Sequence, residues 1–420
     1  YIGDWSSDVC SSDLKIKYAF MLLLAMVQGV DSMADVVLTV KNSGQEQRLE
    51  VAEFDANEVW KALGVAQGSP VRVLNRYGLP EACQITHDNK LLVETTVIPG
   101  GTAKFYVKPG TPDPTQSFAE GKLYPWRVDD FVWENDRCSY RAYGPALQRT
   151  GEKAFGMDVW LKSTPYPDVE KRYAVVYNGH RISAQMRKEG RKQEADSLDQ
   201  TVSLHLDHGT GLDCYNVGPS LGCGTPAIML GDSIVMPYCF KEYRVLDNGP
   251  LRFTLELVYN TEKIDGQNVT EHRIISLDKW SFFNKMTVWY DGLKKPMDVC
   301  GGVVVHTEKA SDLKLAPNYV AYTDPTDSAE RHQFEIYVAA LFPNGADATQ
   351  LVRDPWHKKA GIVGNAVGVK RGVKNNERFT YYFGASWCKS GTPNQRVWYM
   401  QIEDFISNLK QPLQTAVTVK

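Results

Sequence analysis

Apolar and polar residues alternate in short runs over most of this chain, and a period of two is the pattern of half-buried β-strands. In the clearest run, five apolar residues alternate with a mainly polar set: Leu251, Phe253, Leu255, Leu257 and Tyr259. Similar runs are His272–Leu277, Met286–Tyr290, Val303–His306, Gln333–Val338 and Phe379–Phe383. Short polar turns such as Asp247-Asn248-Gly249 separate them. This rhythm predicts a mainly β protein built around a large antiparallel sandwich.

Three stretches depart from the β rhythm. Residues Asp55–Gly64 predict a short helix or turn, and the charged stretch Ile182–Leu198 is compatible with a helix that Gly190 weakens. Near the C-terminus, four apolar residues at helical spacing predict an amphipathic helix: Trp398, Ile402, Phe405 and Leu409.

A proline-rich segment at residues 108–114 is the strongest candidate for a domain boundary. Before it, short strands such as Leu91–Val93 and Phe105–Val107 are separated by Gly and Pro. We therefore predict a small N-terminal β-domain over residues 35–108, a linker over 109–120, and a large β-sandwich domain over 121–420.

The first 34 residues carry two patterns that do not belong to a folded domain. Asp4–Leu14 matches one reading frame of a sequencing-library adapter, so we interpret residues 1–14 as an artefact. Residues 15–34 resemble a secretory signal: basic Lys15 and Lys17 precede an apolar stretch, and Ser32-Met33-Ala34 offers small residues for cleavage. The apolar stretch is too short to span a membrane, so we expect an exported protein without stable membrane insertion.

Composition narrows the possible partners. The formal net charge is −3 and the chain has no basic cluster, so nucleic acid is not an expected partner. Tyr (21) and Trp (10) are abundant, and aromatic rings both stack on sugars and fill β cores. The eight cysteines become an odd seven without Cys10, and Cys214 and Cys223 would pair if the loop between them folds back.

Ionisable residues and glycines are concentrated between His205 and Ala227. Acids, imidazoles and phenols move protons, and glycine lets the backbone approach a ligand closely. In β-elimination from a uronic acid, a Tyr or His takes the C5 proton while a cation neutralises the carboxylate. The candidate proton-transfer and orienting groups are His208, Tyr215, Asp207 and Asp213. The alternatives are a structural loop whose polar groups satisfy backbone, or a metal site formed by His205, Asp207 and His208.

A second group of polar residues extends from Arg127 to Arg141. Strand alternation places Asp129, Phe131 and Trp133 on one face, and Asp130, Val132 and Glu134 on the other. Arginine binds carboxylates in bidentate fashion, and carboxylates hold sugar hydroxyls or act as acid and base. The candidate substrate-binding residues are Arg127, Asp129, Asp130, Trp133, Glu134, Asn135, Arg141 and His205. The alternative is an ion-pair network that fixes the corners of a sheet.

A third group lies in the segment Gly156–Lys162. Asp158, Trp160 and Lys162 would share one face of a strand. A row of charged, aromatic and charged side chains suits a sugar-binding cleft, and it equally suits a solvent face on which a lysine stacks against an indole.

These same residues carry a resemblance to a known family. The pattern Arg127-x-Asp129-Asp130-x-x-Trp133-Glu134-Asn135-Asp136, the segment Tyr143-Gly144-Pro145, and the stretch Asp207–Gly218 resemble the family catalogued as domain of unknown function 4861. The resemblance covers nearly all of residues 35–420, and the later strands resemble the supersandwich of galactose-mutarotase-like proteins. It implies an exported bacterial protein of polysaccharide breakdown, often of uronic-acid-rich glycans, located in the periplasm or outside a Gram-negative cell. It assigns no catalytic residue.

Together, residues and resemblance favour a carbohydrate-active enzyme, a lyase or hydrolase for uronic-acid-containing glycans. Arg127 or Arg141 would bind the substrate carboxylate, with Trp133 and Trp160 as stacking platforms. The proposed alternatives are a non-catalytic glycan-binding protein and a sugar mutarotase or epimerase. No cofactor is expected, and the sequence leaves a structural calcium ion open.

Overall fold

The computed structural model describes residues 35–420, so the predictions for residues 1–14 and 15–34 lie outside the described part of the chain. None of the helices in residues 35–420 combines the length and the apolarity that crossing a bilayer requires.

The N-terminal domain consists of two small antiparallel sheets and one helix. The helix α1 (Ala56–Leu63) begins at Asp55, whose side chain accepts a hydrogen bond from the Asn57 N–H, and ends at Gly64 with φ of 67°. The helix buries Trp60 in the core of this domain. The short helix predicted within residues 55–64 is therefore confirmed. The strands are β1 (Val36–Lys41), β2 (Arg48–Asp55), β3 (Val71–Leu74), β4 (Pro80–Glu81), β5 (Cys83–Ile85), β6 (Lys90–Val97) and β7 (Thr102–Pro109).

Residues 111–118 form neither helix nor strand and lead into a five-stranded sheet, which we call the first sandwich sheet. Its strands, in the spatial order β12-β11-β10-β9-β8, are β8 (Glu120–Tyr124), β9 (Asp130–Glu134), β10 (Cys138–Ala142), β11 (Asp158–Lys162) and β12 (Gly211–Asp213).

Three helices interrupt this sheet: α2 (Pro145–Arg149), α3 (Val169–Lys188) and α4 (Lys192–Thr201). The last two form a hairpin that breaks at Gly190, whose φ is 81°. The single helical stretch that was considered for residues 182–198 is therefore two helices, because the turn between them needs a left-handed residue.

Two further sheets complete the sandwich. One is five-stranded, in the order β14-β13-β20-β25-β24, and the other is nine-stranded, in the order β15-β16-β18-β19-β26-β23-β22-β21 with β17 paired to β18. The strands up to β20 are β13 (Cys223–Leu230), β14 (Ser233–Val235), β15 (Phe240–Asn248), β16 (Arg252–Tyr259), β17 (Glu262–Ile264), β18 (Gln267–Asp278), β19 (Phe283–Asp291) and β20 (Met297–Val305). The later ones are β21 (Leu313–Ala316), β22 (Tyr319–Asp324), β23 (Ile336–Leu341), β24 (Ala348–Arg353), β25 (Gly364–Val373) and β26 (Phe379–Trp387).

The two five-stranded sheets lie side by side on one face of the nine-stranded sheet. A parallel bridge joins them at Met157 and Gly222. One continuous apolar core includes residues of all three sheets, among them Phe131, Val303 and Phe383. The protein is mainly β and antiparallel, as the alternation predicted.

The other face of the nine-stranded sheet is covered near the C-terminus. The short helix α5 (Ala329–His332) follows β22, and α6 (Gln395–Lys410) packs Trp398, Ile402 and Ile406 against the sheet, which confirms the predicted amphipathic helix. The last strand, β27 (Gln414–Val419), then pairs with β1. The expected sandwich domain over residues 121–420 therefore needs a correction at its far end, since residues 414–419 form a strand of the N-terminal sheet.

Candidate functional site

Four charged side chains converge on the outer face of the first sandwich sheet. Arg141 on β10 lies directly opposite Asp158 on β11. Its guanidinium is ion-paired with Asp158, and it lies 3.2 Å from Asp213 and 3.6 Å from Asp130. We call these four residues the Arg141 cluster. The segments around residues 127–162 and 205–215 thus do meet, through the strand register.

The Arg141 cluster is buried: the side chain of Asp158 is 0 % exposed and that of Arg141 is 8 % exposed. Burial favours the neutral form of a carboxyl group and outweighs the opposing attraction of Arg141. It raises the pKa of Asp130 to about 6 and that of Asp158 to about 7, and it also raises the pKa of Asp213.

Helix α3 covers the cluster. The Tyr173 ring packs 4.8 Å from that of Tyr124 and 5.0 Å from that of Trp160, and its hydroxyl donates to Asp130 at 3.4 Å. The sugar-binding cleft expected for this face is not present at this position, because helix α3 excludes solvent. Arg141 already neutralises buried carboxylates, so it is not free to bind a substrate carboxylate.

Glu134, Lys162 and Asn135 have structural partners. The Glu134 carboxylate is ion-paired with Lys162 and accepts the backbone N–H groups of Asp168 and Val169, at 3.0 Å each, where α3 begins. The Asn135 amide donates to two backbone carbonyls of the turn at residues 278–281, each at 2.7 Å. These groups anchor a helix and a turn, as the ion-pair alternative proposed, and the expectation that they bind substrate is corrected.

The two tryptophans proposed as stacking platforms are buried. Trp133 is 0 % exposed and donates its indole N–H to Asn284 Oδ1 at 2.8 Å, between the sheets. Trp160 is 1 % exposed and donates to Asp158 at 3.1 Å. Neither ring offers a free face, so the platform prediction is wrong. Asp158, Trp160 and Lys162 do lie on one face of β11, as alternation predicts, but that face is covered by α3.

The proposed proton-transfer role of Tyr215 is also wrong. The ring is 4 % exposed and the hydroxyl donates to the Gly222 carbonyl at 3.0 Å. Burial raises the pKa of Tyr215 well above its ordinary value, so the phenol stays protonated and cannot act as a base.

His208 and Asp207 shape the loop that precedes β12. His208 is exposed and its Nε2 lies 2.9 Å from the Ser203 carbonyl. The Asp207 carboxylate accepts the N–H groups of Gly209 and Gly211 and is ion-paired with Lys389. Burial alone would raise the pKa of Asp207, but Lys389 and the two backbone groups lower it. With Tyr215 buried, these two residues do not form the acid–base group that was predicted.

Arg127 and Asp129 lie at the edge of the covered face. The Arg127 guanidinium lies 5.8 Å from the centre of the Tyr173 ring, and the residue is half-buried. Asp129 is in the left-handed region with φ of 64°, and its carboxylate accepts the Ala146 N–H at 3.2 Å. Asp129 therefore holds the start of α2 rather than following the strand alternation, whereas Arg127 has no carboxylate partner within residues 35–420 and remains free to bind an anion.

Beside Asp213, a group of histidines joins β12 to the segment after β22. His205 Nδ1 lies 2.8 Å from the Asp213 carbonyl and 3.3 Å from Asp327 Oδ2. His332 Nδ1 lies 3.4 Å from the other Asp327 oxygen, and its Nε2 is 3.3 Å from the His205 carbonyl. The hydrogen bond that His205 donates to the Asp327 carboxylate raises the pKa of His205 to about 9, so this imidazole is a cation at neutral pH. Asp327 and His332 were not predicted from the sequence.

The most distinctive group is a second histidine–aspartate pair next to this one. His306, which follows β20, places Nδ1 2.6 Å from Asp324 Oδ2 at the end of β22. Asp324 is fully buried, and the His306 side chain is 9 % exposed. In the described part of the chain the buried Nε2 of His306 has no hydrogen-bond partner. Thr326 connects the two pairs, because its N–H binds Asp324 and its hydroxyl lies 2.9 Å from His332. We call His205, His306, His332, Asp324 and Asp327 the histidine network.

A loop over residues 354–362 extends from the same edge. Its base is fixed by a hydrogen bond from the Val363 N–H to the Val305 carbonyl, one residue before His306, and Asn216 donates to the Ala360 carbonyl at 3.2 Å. At its tip Trp356 is 87 % exposed. An exposed indole on a loop that starts from the edge carrying His306 was not predicted, since alternation does not reveal which aromatic residues remain outside a core.

The histidine network holds two kinds of proton-moving group. An imidazole whose Nδ1 is held by a carboxylate and whose Nε2 has no partner is the arrangement of a general base. Because the Nε2 of His306 is buried, a substrate must open its surroundings to reach it. A protonated imidazole, as at His205, can donate a proton or neutralise an anion. Across residues 35–420, no group of three or more His, Cys, Asp or Glu side chains has a geometry that would hold a metal ion, and His205, Asp207 and His208 have separate partners.

The seven cysteines of the described chain are all free thiols. The pairing considered for Cys214 and Cys223 is therefore wrong. Both are buried, and burial raises the pKa of the Cys223 thiol well above its ordinary value, so it behaves as a small apolar side chain in the core.

A family model described as "Domain of unknown function (DUF4861)" matches residues 36–415. The chain therefore belongs to this family, which confirms the resemblance to domain of unknown function 4861. The chain is also similar to a protein of Formosa agariphila described as "Uncharacterized protein P7". The two sequences are 25 % identical over 310 residues, which cover 71 % of this chain and 70 % of that protein.

Two solved structures from Enterococcus faecalis are similar to this chain. One is described as an alpha-mannosidase (TM-score 0.49) and the other as a protein in the Glycosyl Hydrolase Family 38 (TM-score 0.46), each at 10 % identity. Each match covers 97 % of this chain. It covers 49 % of the mannosidase chain and 50 % of the other, so this chain spans about half of their length.

Proposed function

We propose that this chain is an exported carbohydrate-active enzyme that acts on uronic-acid-containing oligo- or polysaccharides, with lyase chemistry at the histidine network. The unpartnered, buried Nε2 of His306 carries the proposal, because a buried polar atom without a partner is costly unless a ligand or substrate uses it. Support for the glycan class comes from the sequence resemblance, and support for export comes from the signal-like residues 15–34.

In the proposed reaction, His306 Nε2 removes the C5 proton of a uronic acid while Asp324 holds the ring and stabilises the imidazolium. The electrons of the C5–H bond form a C4=C5 double bond, and the C4–O bond breaks. The His205 imidazolium gives its proton to the departing oxygen. Arg127, which is half-buried and free of carboxylate partners in the described chain, neutralises the substrate carboxylate.

Lyase chemistry fits the charges of the site better than hydrolysis does. A glycoside hydrolase needs two carboxyl groups that both face the scissile bond. Here the carboxyl groups of Asp130, Asp158 and Asp213 surround Arg141 under helix α3, away from solvent. The histidine network supplies an acid and a base without them.

The test is turnover of a panel of uronic-acid glycans, followed by the ultraviolet absorbance of unsaturated products and by new reducing ends. His306→Gln should lower kcat by at least about 100-fold, which is the usual contribution of a general base. The matched control is His87→Gln, since His87 Nδ1 lies 2.8 Å from Asp247 in the same geometry but far from this site. Absence of unsaturated product from the unaltered protein on every glycan, or equal activity of the two variants, would refute the proposal.

A sugar mutarotase or epimerase is the second candidate, and the His306–Asp324 pair favours it, since one histidine and one carboxylate suffice for ring opening. Nuclear magnetic resonance of anomer exchange distinguishes the two. Accelerated exchange of a monosaccharide without any unsaturated product would support this candidate over the lyase.

A further inference from the structure

A cavity of about 630 Å³ lies where the N-terminal domain, the nine-stranded sheet and helix α6 meet. Its walls come from β2, from the strands β16, β18, β19 and β26, and from the end of α6. Its volume falls within the range of roughly 300–1,000 Å³ that is usual for small-molecule sites. None of the residues of the histidine network lines it, so it is a separate place on the molecule.

One wall of the cavity contains a buried cation with spare hydrogen-bonding capacity. The Arg48 side chain is 6 % exposed; it donates to the Gln411 carbonyl at 3.0 Å and to Glu50 at 2.7 Å. Its Nε–H is buried and has no partner within the described residues. Because buried donors are rarely left unpaired, this atom points to a ligand or a bound water in the cavity.

The floor and the opposite wall contain aromatic rings and two ionic groups without ion-pair partners in the described chain. Tyr382 and Phe405 pack edge to face, with ring centres 5.2 Å apart, and both remain half-buried. Lys285 and Asp404 are exposed and belong to no ion pair among residues 35–420. Partial shielding of the Asp404 carboxyl group from water, with the nearby Glu46 and Glu403, raises its pKa, so no cation of the described chain compensates this carboxyl group in the free protein.

The charges of the lining cancel. Four cations and four anions face the cavity: Arg48, Arg252, Lys279, Lys285, Glu50, Glu53, Asp278 and Asp404. A polyanion would gain nothing from such a balanced surface, whereas a molecule rich in hydroxyl groups can hydrogen-bond to both signs of charge and place its C–H faces on aromatic rings. We propose that this cavity binds a short oligosaccharide without net charge, as an accessory glycan site. The proposal does not depend on the reaction at the histidine network.

The test is isothermal titration calorimetry of the full chain with a panel of neutral oligosaccharides. Lys285→Ala and Asp404→Ala should each weaken the binding of the same sugar about tenfold, since each removes hydrogen bonds to a charged group. Lys314→Ala is the matched control, because Lys314 is an exposed lysine on β21 outside the cavity. The thermal unfolding temperature of each variant shows that it is folded.

His306→Gln separates this site from the proposed active site. We expect it to retain the binding of the neutral oligosaccharide at full affinity while it loses turnover of uronic-acid glycans. If no neutral oligosaccharide of the panel binds, or if binding is lost in His306→Gln and unchanged in Lys285→Ala and Asp404→Ala, the accessory site is refuted. Neither of these binding results bears on the turnover of uronic-acid glycans. The turnover assay therefore tests the proposed function separately.

Discussion

At the scale of single residues, burial distinguishes His306 from a histidine with the same partner type. His87 also holds an aspartate through Nδ1, but its side chain is 37 % exposed, so its other nitrogen is not a buried atom. The His306 side chain is 9 % exposed and Nε2 is buried. The same pair geometry therefore leaves the second nitrogen exposed to solvent in one place and buried without a partner in the other.

Trp356 offers a second test at this scale. Its indole is 87 % exposed on the loop that begins beside His306, so it can stack on a sugar unit bound next to the reacting one. We expect Trp356→Ala to raise KM for long uronic-acid glycans about tenfold, equivalent to about 1.4 kcal/mol, with little change in kcat. Tyr77→Ala, at another exposed ring on the N-terminal domain (71 %), should change neither constant. A fall in kcat with constant KM would contradict a stacking role.

His205 makes stability depend on pH in a defined window. Its pKa rises from an ordinary 6.5 to about 9 in the folded state because Asp327 holds the proton. The pair therefore stabilises the fold fully below pH 6.5, and this stabilisation is lost as the pH rises through about 9.

Relative to the unaltered protein, His205→Gln should lower stability at pH 6 by less than about 1 kcal/mol, because the side chain is 56 % exposed, and should not lower it at pH 10. Urea unfolding at both pH values measures the difference. An equal loss at both would show that the cation plays no part.

At the scale of elements, the pairing of β10 with β11 places Arg141 opposite Asp158 beneath helix α3. Arg141→Met would leave the carboxyl groups of Asp130, Asp158 and Asp213 without their cation. Removing one partner of a buried ion pair costs about 3–5 kcal/mol. We expect a loss of this size at pH 8 in urea unfolding.

The loss should shrink at pH 5. The folded-state pKa values of Asp130 (about 6) and Asp158 (about 7) exceed their ordinary 3.8, so their neutral forms already predominate there. Stability linked to these groups is present below pH 3.8 and is lost as the pH rises through 6–7. Lys314→Met, at an exposed strand position, is the control. A loss independent of pH would mean that packing, and not charge, is what Arg141 supplies.

The strands and helix α6 could be predicted because the spacing of apolar residues depends only on nearby positions in the sequence. The histidine network could not be predicted in this way. Alternation correctly separated Asp130 and Glu134 from Phe131 and Trp133, yet it could not tell which face packs on the core. The choice of His208 and Tyr215 rested on proximity in sequence, but His208 lies in the exposed loop before β12 and Tyr215 is buried after it. His306 and Asp324 are 18 positions apart and meet only because β20 and β22 end at the same edge of the sandwich.

At the scale of the whole molecule, the chain closes on itself. Strand β27 forms six register pairs with β1, so the first and last strands of the described chain lie side by side. The Arg48 guanidinium donates to the Gln411 carbonyl just before β27, which ties this closure to the wall of the cavity. Sequence periodicity could not place β27 in the N-terminal domain, because a strand pattern does not specify its partner.

Deletion of residues 414–420 tests this closure. It would expose the edge of β1, whose other neighbour is β7, and leave the N–H groups that β27 satisfies open to water. Amide hydrogen exchange in β1 should become at least tenfold faster, a loss of about 1.4 kcal/mol of local stability, whereas exchange in β16 should not change. A chain that ends at Val419 keeps all six pairs and is the matched control. If the deletion accelerates exchange equally in β1 and β16, the two domains unfold as one unit. If it accelerates neither, β27 contributes nothing to the N-terminal sheet.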